Sequence, residues 1–295
     1  MYRNRVEEVY CMAAGSKLKN HSSTRLIIQA FFAALSNGYI KGFANGKIFE
    51  GGSKSVCLPG MNCYSCPGAL GACPIGSLQA TLNDREYRIS MYVVGLLVIF
   101  GSLLGRFVCG FLCPFGLIQD LLFKIPFVKK IRRLPGENGL RWLRFVFLGI
   151  FVILLPMFVI DITGLGEPWF CKWICPVGTL EGGIPLVLLN KGMREAAGFI
   201  FRWKVLILLI TLFSSIIIYR PFCRYICPLG AVYGIFNKIS FYRFKVDSEK
   251  CTKCGTCRKI CKLDIPVWQN PNSMNCIRCG DCKAGCPHGA LTLNL

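Results

Sequence analysis

Residues 251–261 read CTKCGTCRKIC and residues 276–287 read CIRCGDCKAGCP. Each is a C-x2-C-x2-C-x3-C run, and the second carries the proline that closes the motif. Three thiolates spaced in this way wrap one face of a cubane, while the fourth points away and completes its neighbour. The pattern predicts two [4Fe–4S] clusters, one held by Cys251, Cys254, Cys257 and Cys286 and one by Cys276, Cys279, Cys282 and Cys261. A structural zinc ion would use two separated cysteine pairs around one tetrahedral centre, which two complete runs suit poorly.

The chain that precedes this tail is built for lipid. Hydrophobic residues make up 53% of the protein and charged residues only 17%, and the mean hydropathy is +0.48, unlike a soluble domain of this length. Crossing a hydrocarbon core about 30 Å thick takes roughly 20 helical residues. Residues 25–44, 88–108, 142–160 and 199–219 meet that need, the first least well because it carries Gln29, Ser36, Asn37 and Tyr39. The run GGIPLVLLN, Gly182 to Asn190, is too short and contains Pro185, which suggests an interfacial or re-entrant segment.

Basic residues orient these spans. Arg3, Arg5, Lys17 and Lys19 precede the first, and Lys124, Lys129, Lys130, Arg132 and Arg133 follow the second, whereas loops 45–87 and 161–198 mix both signs. The positive loops face the cytoplasm, so both termini and the cysteine-rich tail are expected there. The fold expected is mainly α: a polytopic membrane helix bundle of about four spans plus the re-entrant segment, ending in a small α+β two-cluster ferredoxin-like domain. The division is an N-terminal cytoplasmic segment over 1–24, a membrane domain over 25–246 with cysteine motifs at both faces, and the tail domain over 247–295. No A-x-A-like cleavage site follows the first apolar stretch.

Three further motifs repeat just after hydrophobic stretches: CGFLCPFG (Cys109, Cys113), CKWICPVG (Cys171, Cys175) and CRYICPLG (Cys223, Cys227). The likeness of GRFVCGFLCPFG to YRPFCRYICPLG continues into FKI and NKI downstream. A C-x3-C pair at a helix end sets two thiolates on one face, and the proline then redirects the chain. With four spans, Cys109, Cys113, Cys223 and Cys227 share the inner face and form a complete set for a third [4Fe–4S] cluster. Cys171 and Cys175 fall on the outer face with Cys57, Cys63, Cys66 and Cys73 of CLPGMNCYSCPGALGACPIG. These six supply one cluster with two thiols left over, two clusters if another ligand joins, or disulfides in an oxidising compartment. The cysteine–proline pairs at Cys66, Cys73 and Cys175 favour a fourth cluster, while Cys11 stands alone as a free thiol.

The formal charge of +20 lies in loops beside the spans, and the aromatics lie within them. That distribution describes a positive-inside face and not a nucleic-acid surface. Four oxidised clusters, each about −2 with its thiolates, lower the charge to about +12. His21 and His288 both lie outside the spans, which excludes bis-histidine haem; no glycine-rich dinucleotide or nucleotide-phosphate loop and no hydrolytic constellation is present. Asp161 and Glu181 lie near the outer motif as candidates for handling the protons of a quinone.

C-x3-C-P repeats on membrane spans followed by a two-cluster tail resemble the polyferredoxin membrane proteins of the NapH and NosR type, from about the second span to the C-terminus. Residues 247–295 by themselves resemble a bacterial two-cluster ferredoxin, with Lys262 where proline usually follows the fourth cysteine. The resemblance implies an electron-transfer component of an oxidoreductase system, working between a quinol pool or cytoplasmic donor and a partner reductase, or an accessory or maturation role. The additional C-x3-C-P motif and the segment 57–73 depart from the type and leave the partner open. The expected function is a relay between a cytoplasmic donor such as ferredoxin and a membrane or extracytoplasmic acceptor. The alternatives are a one-sided quinol–ferredoxin subunit and a redox-sensing or maturation protein.

Overall fold

A computed structural model describes residues 20–82, 91–126, 128–159 and 166–294. Most of them are helical. Among the described residues two helices are long and apolar enough to cross a membrane, Glu137–Phe158 and Phe199–Ile217, where spans were expected at 142–160 and 199–219. Their apolar side chains point outward: Trp142, Val146, Ile150 and Phe158 on the first and Phe199, Leu206, Ile210 and Phe213 on the second are exposed. A lipid-facing surface has this character. The first helix widens to π geometry over Phe147–Leu154, just ahead of Pro156, which has no N–H to give the preceding turn.

The other two expected spans are built differently. Residues 20–36 form one helix, the chain breaks at 37–39, and a short helix, Ile40–Asn45, follows. Arg25, Gln29 and Ser36, spaced four and seven apart, are buried on one face, while Ile27, Phe31 and Leu35 are exposed on the other. The polar residues that weakened this stretch as a span are its packing face. Helix Met91–Leu104 ends at Gly105, whose φ of +53° is left-handed; a Cβ there would lie 2.6 Å from Asn237 Oδ1. The short segment 182–190 falls within and just beyond an apolar helix, Pro176–Leu189, that is also below spanning length.

The apolar interior also encloses sulfur and buried charge. Buried Asp120 receives two bonds from Arg220, at 2.8 and 2.6 Å, one from Arg25 at 3.2 Å and one from Gln29 at 3.3 Å. Charges inside an apolar envelope persist when paired in this way. Through Asp120 the helix over 20–36 is locked to helix Pro114–Phe123 and to the turn that begins the last C-x3-C pair.

The cysteine-rich tail folds around a two-stranded antiparallel ribbon, β1 (Arg243–Val246) with β2 (Leu291–Asn294), in the register Arg243↔Asn294 to Val246↔Leu291. Its first strand therefore starts ahead of the expected boundary at 247. Phe244, Leu263, Ile265, Val267, Ile277 and Leu291 form its core. Fully buried Arg278 fastens this unit to the membrane part by donating to Leu104 O at 3.0 Å, Asn237 O at 2.8 Å and Tyr242 O.

Candidate metal centres

Ahead of the tail, four cysteines sit in the local sequence Cys-Pro-x-Gly: Cys73, Cys113, Cys175 and Cys227. Each directly precedes a helix whose first residue is the proline, a position that sacrifices no hydrogen bond. The N–H of the glycine three residues on turns back to the sulfur, as Gly76, Gly116, Gly178 and Gly230 do for their own cysteines. A backbone donor at the start of each helix thereby fixes the direction in which its sulfur points.

The repeats then pair by reciprocal contacts. Arg106 and Arg220 each stand three residues before the first cysteine of a C-x3-C pair, and each donates to the carbonyl of the other pair's first cysteine, Arg106 to Cys223 O at 3.1 Å and Arg220 to Cys109 O. Gln119 Nε2 lies 3.1 Å from Cys223 Sγ. Cys109, Cys113, Cys223 and Cys227 are thereby enclosed together, each at most 6% exposed.

The same construction recurs once more. Gln79 stands six residues after Cys73, as Gln119 does after Cys113, and its Nε2 lies 3.3 Å from Cys171 Sγ. Cys63, Cys73, Cys171 and Cys175 line one hollow of about 690 Å³. A Cβ on Gly178 would stand 3.5 Å from Cys63 Sγ, and one on Gly76 3.9 Å from Cys171 Sγ. The Cys63 N–H donates to Glu181 Oε2 at 2.8 Å, so this carboxylate positions the Cys63 loop. Cys57 and Cys66 do not line the hollow: the first donates to Ser77 Oγ at 3.3 Å and the second to Asn37 Oδ1 at 3.4 Å. All the described cysteines are free thiols. Cys11 and Asp161 lie outside the described residues.

In the tail, Cys251, Cys254, Cys257 and Cys286 line a hollow of about 380 Å³ with Trp268 and Pro287. Cys276, Cys279, Cys282 and Cys261 are electrostatic neighbours of one another. The two loops match: Lys253 and Arg278 both have φ +55°, and Gly255 and Gly280 have φ +76° and +82°. Such left-handed turns face successive N–H groups toward an anion, and Arg278 N lies 3.4 Å from Cys276 Sγ. Lys262, in place of the usual proline, reaches Asp281 at 3.6 Å and covers the Tyr219 ring at 5.3 Å. Burial would push the Asp281 carboxyl up, but His21, Arg25 and Lys262 outweigh it and hold it at about 2. The exposed Cys254 thiol is drawn down by the Thr256 hydroxyl and N–H.

Among the described residues no three His, Cys, Asp or Glu side chains converge tightly enough for one metal ion. Two of the quartets, the one at Cys251 and the one at Cys63, instead line hollows, which suits a larger group that takes one thiolate at each corner. They are also contiguous. Cys257 is an electrostatic neighbour of Cys282; a Cβ on Gly110, beside Cys109, would fall 2.5 Å from Ile277 O, beside Cys276; and a Cβ on Gly60 would fall 3.2 Å from Cys113 Cα. The set expected at the outer face and the set expected at the inner face thus share one packed core. Segment 57–73 accounts for the difference, because it folds inward onto Cys113.

Sequence reasoning found the cysteines and missed Gln79, Gln119, Arg106 and Arg220. Their signal was present as C-P-x-G-x-x-Q at 73 and 113 and R-x-x-C at 106 and 220.

The pattern of the 4Fe-4S binding domain matches the chain three times, over residues 87–135, 148–186 and 200–247. Each match contains one C-x3-C-P motif. An uncharacterised protein of Methanocaldococcus jannaschii is 29% identical over 202 residues, 68% of this chain and 76% of that protein. The ferredoxin-type protein NapH of Haemophilus influenzae is 28% identical over 61% of this chain and 57% of its own length. The regulatory protein NosR of Pseudomonas aeruginosa is 26% identical over 52% of this chain and 20% of its own length. No solved structure matches.

Proposed function

We propose, from the premise that this chain is a ferredoxin-type protein of the NapH and NosR kind, that it is a membrane relay passing single electrons along four adjoining [4Fe–4S] sites. The match to the 4Fe-4S binding domain and the ferredoxin-type relative support electron transfer by an iron–sulfur protein. The contiguity of the four cysteine quartets supports a continuous relay. Cys251, Cys254, Cys257 and Cys286 would hold the first cluster; Cys261, Cys276, Cys279 and Cys282 the second; Cys109, Cys113, Cys223 and Cys227 the third; and Cys63, Cys73, Cys171 and Cys175 the fourth. When bound, each supplies a one-electron acceptor and donor at low reorganisation. Exposed Cys254 makes the first site the one a soluble donor such as a ferredoxin reaches. Gln79, Gln119 and the Cys-Pro-x-Gly amides hold the buried thiolates in place. Cys57 and Cys66 keep structural roles.

The hollow beside the fourth set favours a second reading, in which the acceptor is a quinone within the membrane. The two are separated with the holoprotein in sealed vesicles, with reduced ferredoxin on the side of Cys254 and ferricyanide trapped on the other. Bleaching of the trapped ferricyanide is expected for the relay. Reduction of added quinone alone supports the second reading, and reduction of neither contradicts both.

A further inference from the structure

Between the tail and the membrane part lies a small hollow lined by five arginines, Arg106, Arg141, Arg144, Arg220 and Arg224. Three of them have carboxylate partners: Arg220 holds Asp120, and Arg141 and Arg224 both hold Glu137, at 2.6 and 2.5 Å. Arg106 and Arg144, each 2% exposed, have none among the described residues. Arg106 donates to Met274 O and Cys223 O, both at 3.1 Å, and Arg144 donates to Asn275 Oδ1 at 2.9 Å and Met274 O at 3.4 Å. The Nε of each has no partner among the described residues. Two buried guanidinium charges held only by neutral acceptors are a large cost, and folded chains bring a counter-charge to such groups.

The position of the pair identifies that counter-charge. Arg106 is an electrostatic neighbour of both Cys223 and Cys276, and Arg144 of Cys109 and Cys227. The two arginines therefore stand between the second and third cysteine quartets. The helix that follows Cys227 passes close to them: a Cβ on Gly230 would lie 3.1 Å from Arg106 Nη2, and one on Gly234 would lie 3.0 Å from Met274 O, the carbonyl that both arginines share.

We infer that Arg106 and Arg144 are positioning residues for charge, compensating the anionic clusters on either side and setting how readily those two sites take an electron. This role rests on the four-site reading above. In the step concerned one electron leaves the set at Cys261, Cys276, Cys279 and Cys282, which is oxidised, and arrives at the set at Cys109, Cys113, Cys223 and Cys227, which is reduced. No bond is made and no proton moves. The fixed guanidinium charges offset the negative charge added at either site, so neither state of the pair is penalised. A unit charge about 10 Å away in an effective dielectric near 20 shifts a one-electron equilibrium by at least roughly tenfold.

The test is a potentiometric titration of the purified holoprotein, followed by EPR, with iron counted in each sample. Arg144→Gln and Arg106→Gln are each expected to lower two of the four midpoints by about 59 mV, the one-electron equivalent of tenfold, and to leave the other two unmoved. Arg144→Lys keeps the charge and is expected to keep the potentials, which a purely structural role for the guanidinium would not predict. Asn275→Asp neutralises Arg144 with almost no change of shape, so it gives the same reading if a glutamine variant fails to assemble. Unmoved midpoints in variants holding about 16 irons per chain, or four midpoints moving together, overturn the role of the arginines alone. A wild-type protein with about 8 irons overturns the four-site reading and this role with it.

Discussion

Replacing Cys113 with serine is expected to lower the iron bound per chain from about 16 to about 12 and to stop electrons that enter at the tail from reaching the set at Cys63 and Cys73. Serine is a good helix N-cap, so helix Pro114–Phe123 still starts where it does, and Gly60 still packs against the unchanged backbone at residue 113. What disappears is one of four thiolates in a buried site. The tail should retain its two clusters, because none of their eight cysteines is touched. EPR of the reduced variant, with iron analysis, reads both effects. Unchanged iron would mean that the four cysteines at 109, 113, 223 and 227 do not act as one set. The same substitution at Cys66 is expected to leave iron unchanged, since that thiol is turned to Asn37.

Asp120→Asn is expected to cost about 3–5 kcal/mol of stability, the usual consequence of stripping one partner from a buried ion pair. The loss is concentrated, because Asp120 holds Arg220 by two bonds, Arg25 by one and Gln29 by one. Arg220 is itself in a left-handed conformation, φ +49°, and it also donates to Cys109 O. Releasing it loosens both the docking of the helix over 20–36 and the third cysteine set. Burial alone would raise the Asp120 carboxyl, but Arg220 and Arg25 more than offset this and hold it below the ordinary carboxylate value. Its contribution is therefore fully present above pH about 4 and is lost as the pH falls through the lowered value. Thermal unfolding in detergent at neutral pH, compared with the same scan in acid, should show a large gap between wild type and variant that narrows on acidification. An equal gap at all pH values would contradict the assigned charge.

The cysteine quartets were legible in the sequence to the extent that spacing alone fixes geometry. In the tail three cysteines of each set stand two residues apart in one run and the fourth comes from the other run, and the structure brings the two expected sets together. The division of the six cysteines at 57, 63, 66, 73, 171 and 175 was not legible. Nothing in the spacing says that the loop carrying Cys63 turns to Glu181 while Cys57 and Cys66 turn to Ser77 and Asn37. The spans were half legible for a related reason. Composition identifies an apolar stretch at 25–44, but Arg25, Gln29 and Ser36 repeat with helical period, and a helix with a charged face must find a charge to pack against. That charge, Asp120, is 95 residues away from Arg25. Long-range pairing of this kind also decided that segment 57–73 folds inward, so two sets expected on opposite faces adjoin.

Purifying the protein without oxygen and counting iron and acid-labile sulfide per chain decides whether it holds four clusters. Four clusters require about 16 of each. About 8 of each would place clusters in the ferredoxin-like tail alone and would contradict the four-cluster reading.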